Sequence, residues 1–187
     1  MLWIAALGLG LVAGFAFRGR IDNLARLHFR WPWLILGVLV VRVAVVVTPL
    51  RAVEGIQYVY LAALTLLVAW TLWQIELVRG IWLIAVGSVL NLVVIAANGA
   101  RMPVAPALAG GLVQSGHLGQ YTLIAPDTNL AWLADWIALP GIGRLVAEAY
   151  SPGDVVVALG VGAVVALAMR SQTGSTETKA RIVSDPP

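Results

Sequence analysis

Five stretches of this chain are apolar over the length of a membrane crossing, and arginine-bearing connections separate them. A helix of about 20 mostly apolar residues spans the hydrocarbon core of a bilayer, and about 17 suffice. The candidates run over residues 2–17, 32–48, 56–75, 80–97 and 153–169. The first is uncharged and is followed at once by Arg18 and Arg20, and the second is charged only at Arg42. The fourth includes Ser88 and Asn91, and the last carries only Asp154, at its start. With 60% apolar residues, 11% charged ones and a mean hydropathy of +0.91, the chain cannot solvate the surface of a soluble domain, which takes roughly a quarter of its residues charged. The same apolar excess excludes intrinsic disorder. The expected fold is all-α: an integral membrane helical bundle of five transmembrane helices, forming one domain over 1–170. The tail at 171–187 is rich in Ser, Thr, Pro and charge and is expected to be disordered and cytoplasmic.

Arginine placement sets the expected orientation, because cytoplasmic loops carry the excess of Lys and Arg. With five alternating spans, Arg18, Arg20, Arg26, Arg30, Arg79, Arg170, Lys179 and Arg181 share one side, against Arg51, Arg101 and Arg144 on the other. The amino terminus is therefore expected outside a cell membrane and the carboxyl terminus in the cytoplasm. A signal peptide has its charge before the apolar core; here it follows, so the first stretch reads as an uncleaved anchor. Trp31, Trp33, Tyr58, Tyr60, Trp70 and Trp73 near span ends fit an interfacial aromatic belt.

The residue inventory narrows the chemistry. There is no cysteine, which removes disulfides, thiol catalysis and thiolate metal sites. Two histidines, His28 and His117, are too few and too far apart for a metal cluster. The net charge of +3 is accounted for by the cytoplasmic arginines, so no nucleic-acid partner is expected. No cofactor, metal site or catalytic residue is assigned. Small residues recur at four-residue spacing in the first span (Ala6, Gly10, Gly14) and the last (Ala158, Gly162, Ala166). Such stripes let helices approach closely, either inside one chain, the simpler reading, or across a homodimer.

Function is expected in the connection over 98–152, since long loops without structure of their own are usually functional. Asp127 or Thr128 can cap a helix running through Leu139, with Leu130, Leu133 and Ile137 on one face and Asp135 pointing away between Trp132 and Trp136. Such a helix would lie in the membrane interface or re-enter the membrane. Ser151-Pro152-Gly153-Asp154 reads as the cap of the last span.

The candidate binding residues are Arg42, Asn91, Asn98, Arg101, His117 and Asp135. Ser88, Asn91 and Asn98 share one side of the fourth span, where unpaired carboxamides are costly. They form either an interhelical hydrogen-bond clamp or an outward-opening polar pocket. Arg42 either snorkels to the outer headgroups or meets Asp135, Asp154 or a lipid phosphate. His117 with Asp127, Asp135 and Ser115 permits an acid–base arrangement, but no spacing among them is specific to one.

Asn98-Gly99-Ala100-Arg101-Met102-Pro103-Val104 resembles the signature N-G-G-x-M-P-V of a bacterial family of small multi-pass membrane proteins of unknown function. His117, Leu133-Ala134-Asp135 and Ser151-x-Gly153-Asp154 extend the resemblance over roughly 1–170. It implies architecture and the place of a motif, and no activity. Ala100 stands where the signature has its second glycine, which leaves the form of that turn open. Physically the motif is a helix stop, with Arg101 at the headgroup plane as a phosphate ligand or an anchor.

Three functions follow. The favoured one is a non-enzymatic accessory or binding bundle for a lipid, a quinone-like ligand or a membrane protein partner. A small carrier or flippase would line an outward-opening cavity with Arg42, Asn91, Asn98 and Arg101. A membrane-embedded enzyme would act at the outer surface through His117 and Asp135.

Overall fold

A computed structural model describes residues 1–47, 53, 55–109, 120–140 and 147–170, the side chains of 42, 45–47, 140 and 147 excepted. The molecule is mostly helical. Among the described residues the α-helices are α1 (Leu2–Ala16), α2 (Trp33–Val47), α3 (Ile56–Trp73), α4 (Ile81–Ala97) and α5 (Pro152–Arg170). Each occupies one of the five apolar stretches. By length and composition α3 and α5 can cross a membrane; α1 and α4 are apolar but shorter.

The fold is not all-α. Four short strands lie between α4 and α5: β1 (Met102–Val104), β2 (Tyr121–Leu123), β3 (Ile137–Pro140) and β4 (Ala147–Tyr150). β1 pairs in parallel with β2, and β3 pairs antiparallel with β4. The helix expected from Asp127 to Leu139 is absent: a 3-10 turn at Ala131–Leu133 gives way to β3. The reason is tertiary pairing. The Asp135 amide donates to the Pro103 carbonyl at 2.9 Å, and the Ala105 amide donates to the Asp135 carbonyl at 2.9 Å. Those backbone groups are thereby withdrawn from any helical ladder. Thr128 accepts a hydrogen bond from the Ala125 amide at 2.8 Å, closing a local turn instead of capping a helix.

α5 is the central helix, packed between α1 and α4, with α3 beyond α4 and α2 beyond α3. Small residues make this possible. Ala6, Gly10 and Gly14 are the buried residues of α1, and a Cβ at Gly10 would come 2.6 Å from the Gly162 carbonyl oxygen. On the opposite face of α5 a Cβ at Gly160 would come 2.6 Å from the Ile84 amide nitrogen. The stripe on α1 is thus used inside the chain.

The connections gather at two ends. At one, the Arg20 amide and the Asn23 carboxamide both donate to the Met169 carbonyl, at 2.9 and 2.8 Å. There too buried Gln74 accepts from the Arg30 amide at 2.9 Å and donates to the Arg30 carbonyl at 2.9 Å. The Trp70 indole donates to the same carbonyl at 2.6 Å, so this tryptophan is buried, whereas Trp31 and Trp33 are exposed. At the other end, Val94 of α4, Met102 and Leu133 form a buried cluster that seats the β-structure on the helices. The tail at 171–187 lies outside the described residues.

Candidate functional site

The site begins with the cap of α5. The Ser151 hydroxyl accepts from the Asp154 amide at 2.9 Å, and Asp154 accepts from the Ser151 amide at 3.0 Å, a reciprocal capping box. Asn91 of α4 joins it from the side. Its carboxamide donates to Asp154 Oδ1 at 2.8 Å, and its oxygen accepts from the Ser151 hydroxyl at 2.9 Å. Gly153 makes room for this, because a Cβ there would overlap the Asn91 carboxamide. The interhelical clamp expected of Asn91 is therefore present, with Ser151 and Asp154 as its partners.

Above this clamp lies a cavity of about 210 Å³. Its polar lining includes Asn91, Asp154 and Asp135, with Tyr60 from α3 and Tyr121 from β2. Its apolar wall comes from α2 and α3, with Val38, Leu61, Leu64 and Leu67, and from Ile95 of α4. Asp135 is 6% exposed, and its Oδ1 has no hydrogen-bond partner among the described residues. Buried polar groups are normally satisfied, so this oxygen is an unmet acceptor inside a partly apolar chamber. Burial, and then the nearby charge of Asp154, push the Asp135 carboxyl up to about 8.

Asp135 is held there by the segment over 98–104. Gly99 and Ala100 both take the left-handed conformation, with φ of 66° and 63°, and reverse the chain after α4. β1 then runs between β2 and Asp135, bridging Val104 to Asp135. The segment therefore both ends a helix and supplies the strand on which the buried carboxyl is mounted.

The structure thus brings Asn91 and Asp135 together and leaves Asn98 and Arg101 elsewhere. Asn98 donates to the Val94 and Asn129 carbonyls, each at 2.8 Å, and accepts from the Asn129 amide at 3.0 Å. Asn129 in turn donates to the Ala97 carbonyl at 3.0 Å. These bonds tie the end of α4 to the turn over 125–130. Arg101 is exposed. Arg42 lies one helical turn beyond Val38 on α2, and its side chain, like all of His117, is outside the described residues. Tyr60, Tyr121 and the place of Asp154 in the cavity lining are site features that sequence reasoning missed. Asp154 was legible as a cap, but nothing local signals that the same residue lines a cavity.

At the opposite end, Arg26, His28 and Arg79 line a second cavity of about 400 Å³ together with Leu27, Leu77 and Leu167. Before α5, the Leu2 amide donates to the Tyr150 hydroxyl at 3.2 Å, and Tyr150 donates to Glu148. Burial and the Glu148 carboxylate raise the Tyr150 hydroxyl above its ordinary range. Among the described residues no group of three or more His, Asp or Glu is placed to hold a metal ion.

No curated protein and no solved structure matches the chain. Residues 26–166 match the family of unknown function DUF5317, a segment that contains the whole Asn91–Asp135–Asp154 constellation. The chain belongs to that family.

Proposed function

We propose that this is a multi-pass protein of a cell membrane, with five alternating spans and its amino terminus outside, that binds a small, partly apolar ligand at its outer end. It acts as a non-enzymatic binding bundle or accessory subunit. Support for the membrane setting comes from the outward faces of the helices: Ile4, Leu9, Val12 and Leu159 are all more than 60% exposed. Apolar exposure on that scale suits lipid and would drive a soluble protein to aggregate. Support for alternation comes from the connection over 18–32 meeting the end of α5 through Arg20 and Asn23 and the connection over 74–80 through Arg30.

One observation carries the binding reading: a chamber walled by leucines holds a buried carboxyl whose Oδ1 has no partner among the described residues. A chamber serving only to pack helices would pair that oxygen or replace it with an apolar group. Catalysis would need a nucleophile or base in reach of a second reacting group, and the described lining offers carboxyls, carboxamides and phenols without such an arrangement.

The test is native mass spectrometry of the protein released from its own membrane in mild detergent. The expected result is a stoichiometric small molecule that is lost in the Asp135→Asn variant. A bare protein that co-purifies only with another polypeptide would overturn the ligand-binding reading and leave an accessory subunit.

A further inference from the structure

The cavity at the outer end has a composition that discriminates among ligands. Two carboxyl groups from different elements line it, Asp135 beside β1 and Asp154 at the start of α5, and no Lys, Arg or His is among its described lining residues. Their settings differ. Asp154 is fixed by the Ser151 amide and by Asn91. Asp135 is fixed through its backbone, and its Oδ1 has no hydrogen-bond partner among the described residues. An acceptor that is buried, unpaired and next to a second carboxylate calls for a donor, and a positively charged donor answers both groups at once. The remaining lining completes the specification. Leu61, Leu64, Leu67 and Ile95 form an apolar wall for a short hydrocarbon stem, and the Tyr60 and Tyr121 rings adjoin the same space. The volume of about 210 Å³ suits a small molecule or the tip of a larger one.

Resting on the binding reading above, we propose that the ligand is an organic cation, a primary ammonium or guanidinium on an apolar stem, whose charged nitrogen sits between Asp135 and Asp154. The proton balance is explicit. The Asp135 carboxylic acid gives its proton to solvent as the cation enters, leaving a carboxylate–ammonium pair, so one positive charge arrives and one leaves. The charge in the chamber is unchanged by the exchange, which suits a site walled by hydrocarbon. Because burial and Asp154 hold the Asp135 carboxyl at about 8, affinity for a cation rises with pH up to that value, by about tenfold per pH unit well below it. A neutral ligand that accepts a hydrogen bond from the protonated acid shows the opposite sign: flat affinity below pH 8 and weaker binding above. Among the described residues the titratable groups that line the same cavity as Asp135 are Asp154 from α5, Tyr60 from α3 and Tyr121 from β2; the Arg42 side chain, on α2, lies outside the described residues.

The experiment is calorimetric titration of the full chain in detergent with n-hexylammonium at pH 6, 7 and 8, in two buffers of different ionisation enthalpy. n-Hexanol and a short-chain benzoquinone serve as neutral probes. Expected are saturable n-hexylammonium binding that tightens about tenfold from pH 6 to 7 and about fivefold from pH 7 to 8, release of about one proton per cation at pH 6, and at least a tenfold loss in Asp135→Asn. Repeating the titration in nanodiscs separates the sources of the amine. Competition from phosphatidylethanolamine but not phosphatidylcholine would support a lipid headgroup, and equal binding in both would support a free amine. Asp135-dependent binding of a neutral probe without proton release, and none of the cation, would overturn the proposal while leaving the site a binding site. Cation binding that appears only after Arg42→Gln would place the chain's own arginine there and overturn it too. If no probe binds and nothing is retained in the native mass spectrum, the binding reading falls with it.

Discussion

Asp135 keeps a proton in the folded chain that it surrenders when unfolded, and this gives its position a measurable signature. Its carboxyl is raised from 3.8 to about 8 by burial and then by Asp154. Between those values the folded state binds more protons than the unfolded one, so the stability this residue contributes is complete below pH 4, declines as pH rises and is gone above pH 8. The slope can reach about 1.4 kcal/mol per pH unit. Thermal melts in detergent should show the parent chain losing stability from pH 5 to 8, while Asp135→Asn is flat over the same range. A second residue-scale prediction concerns the reversal after α4. Gly99 has a φ of 66° with open space where a Cβ would stand, so Gly99→Ala should cost about 1 to 2 kcal/mol of stability. Ala100→Gly should move the other way, by less than about 1 kcal/mol, because relief of its φ of 63° is offset by the loss of a buried methyl. The Ser151–Asp154 cap could be read from sequence because its partners are three residues apart. Asp135 could not, because the groups that hold it, Pro103 and Ala105, lie some thirty residues upstream and leave no periodic trace.

Among the elements, α1 and α5 are in contact through glycine, and that contact has an internal control. A Cβ at Gly10 would meet the Gly162 backbone, whereas one at Gly8 has nothing within 4 Å. Gly10→Ala should therefore destabilise the chain by about 1 to 3 kcal/mol, as overpacking does, and Gly8→Ala should be neutral or slightly stabilising in the same melting assay. The helices were legible because their signal is long and redundant: each apolar stretch predicts its helix to within about two residues, from Leu2–Ala16 to Pro152–Arg170. The strands were not, since they are three or four residues long and exist only through pairing. Met102–Val104 and Tyr121–Leu123 are partners that lie well apart in sequence, and Ile137–Pro140 carries a pattern that fits a helix equally well. Over 130–137 the burial follows neither a helical nor a strand period: Leu133, Ala134 and Asp135 are buried in succession while Trp132 and Trp136 stay exposed.

For the whole molecule the proposed orientation makes the sharpest prediction. Alkaline phosphatase fused after Gln120 should be active, and the same fusion at the tail inactive; the reverse pattern would invert the protein in the membrane. What sequence supplies at this scale is the order of the five apolar stretches and the bias of charge among their connections. The cavity was out of reach because it is built by α2, α3, α4, β2 and α5 together, and no single stretch carries its outline. The bond between Asn91 and the cap of α5 has a further consequence, in the order of manufacture. Asn91 is synthesised with α4, but Ser151 and Asp154 follow 60 and 63 residues later. In a chain threaded into the bilayer span by span, its carboxamide waits without those partners until the last helix arrives. The chamber beside that cap is then the final thing completed, and under the proposed function a chain that stops short of α5 binds no ligand.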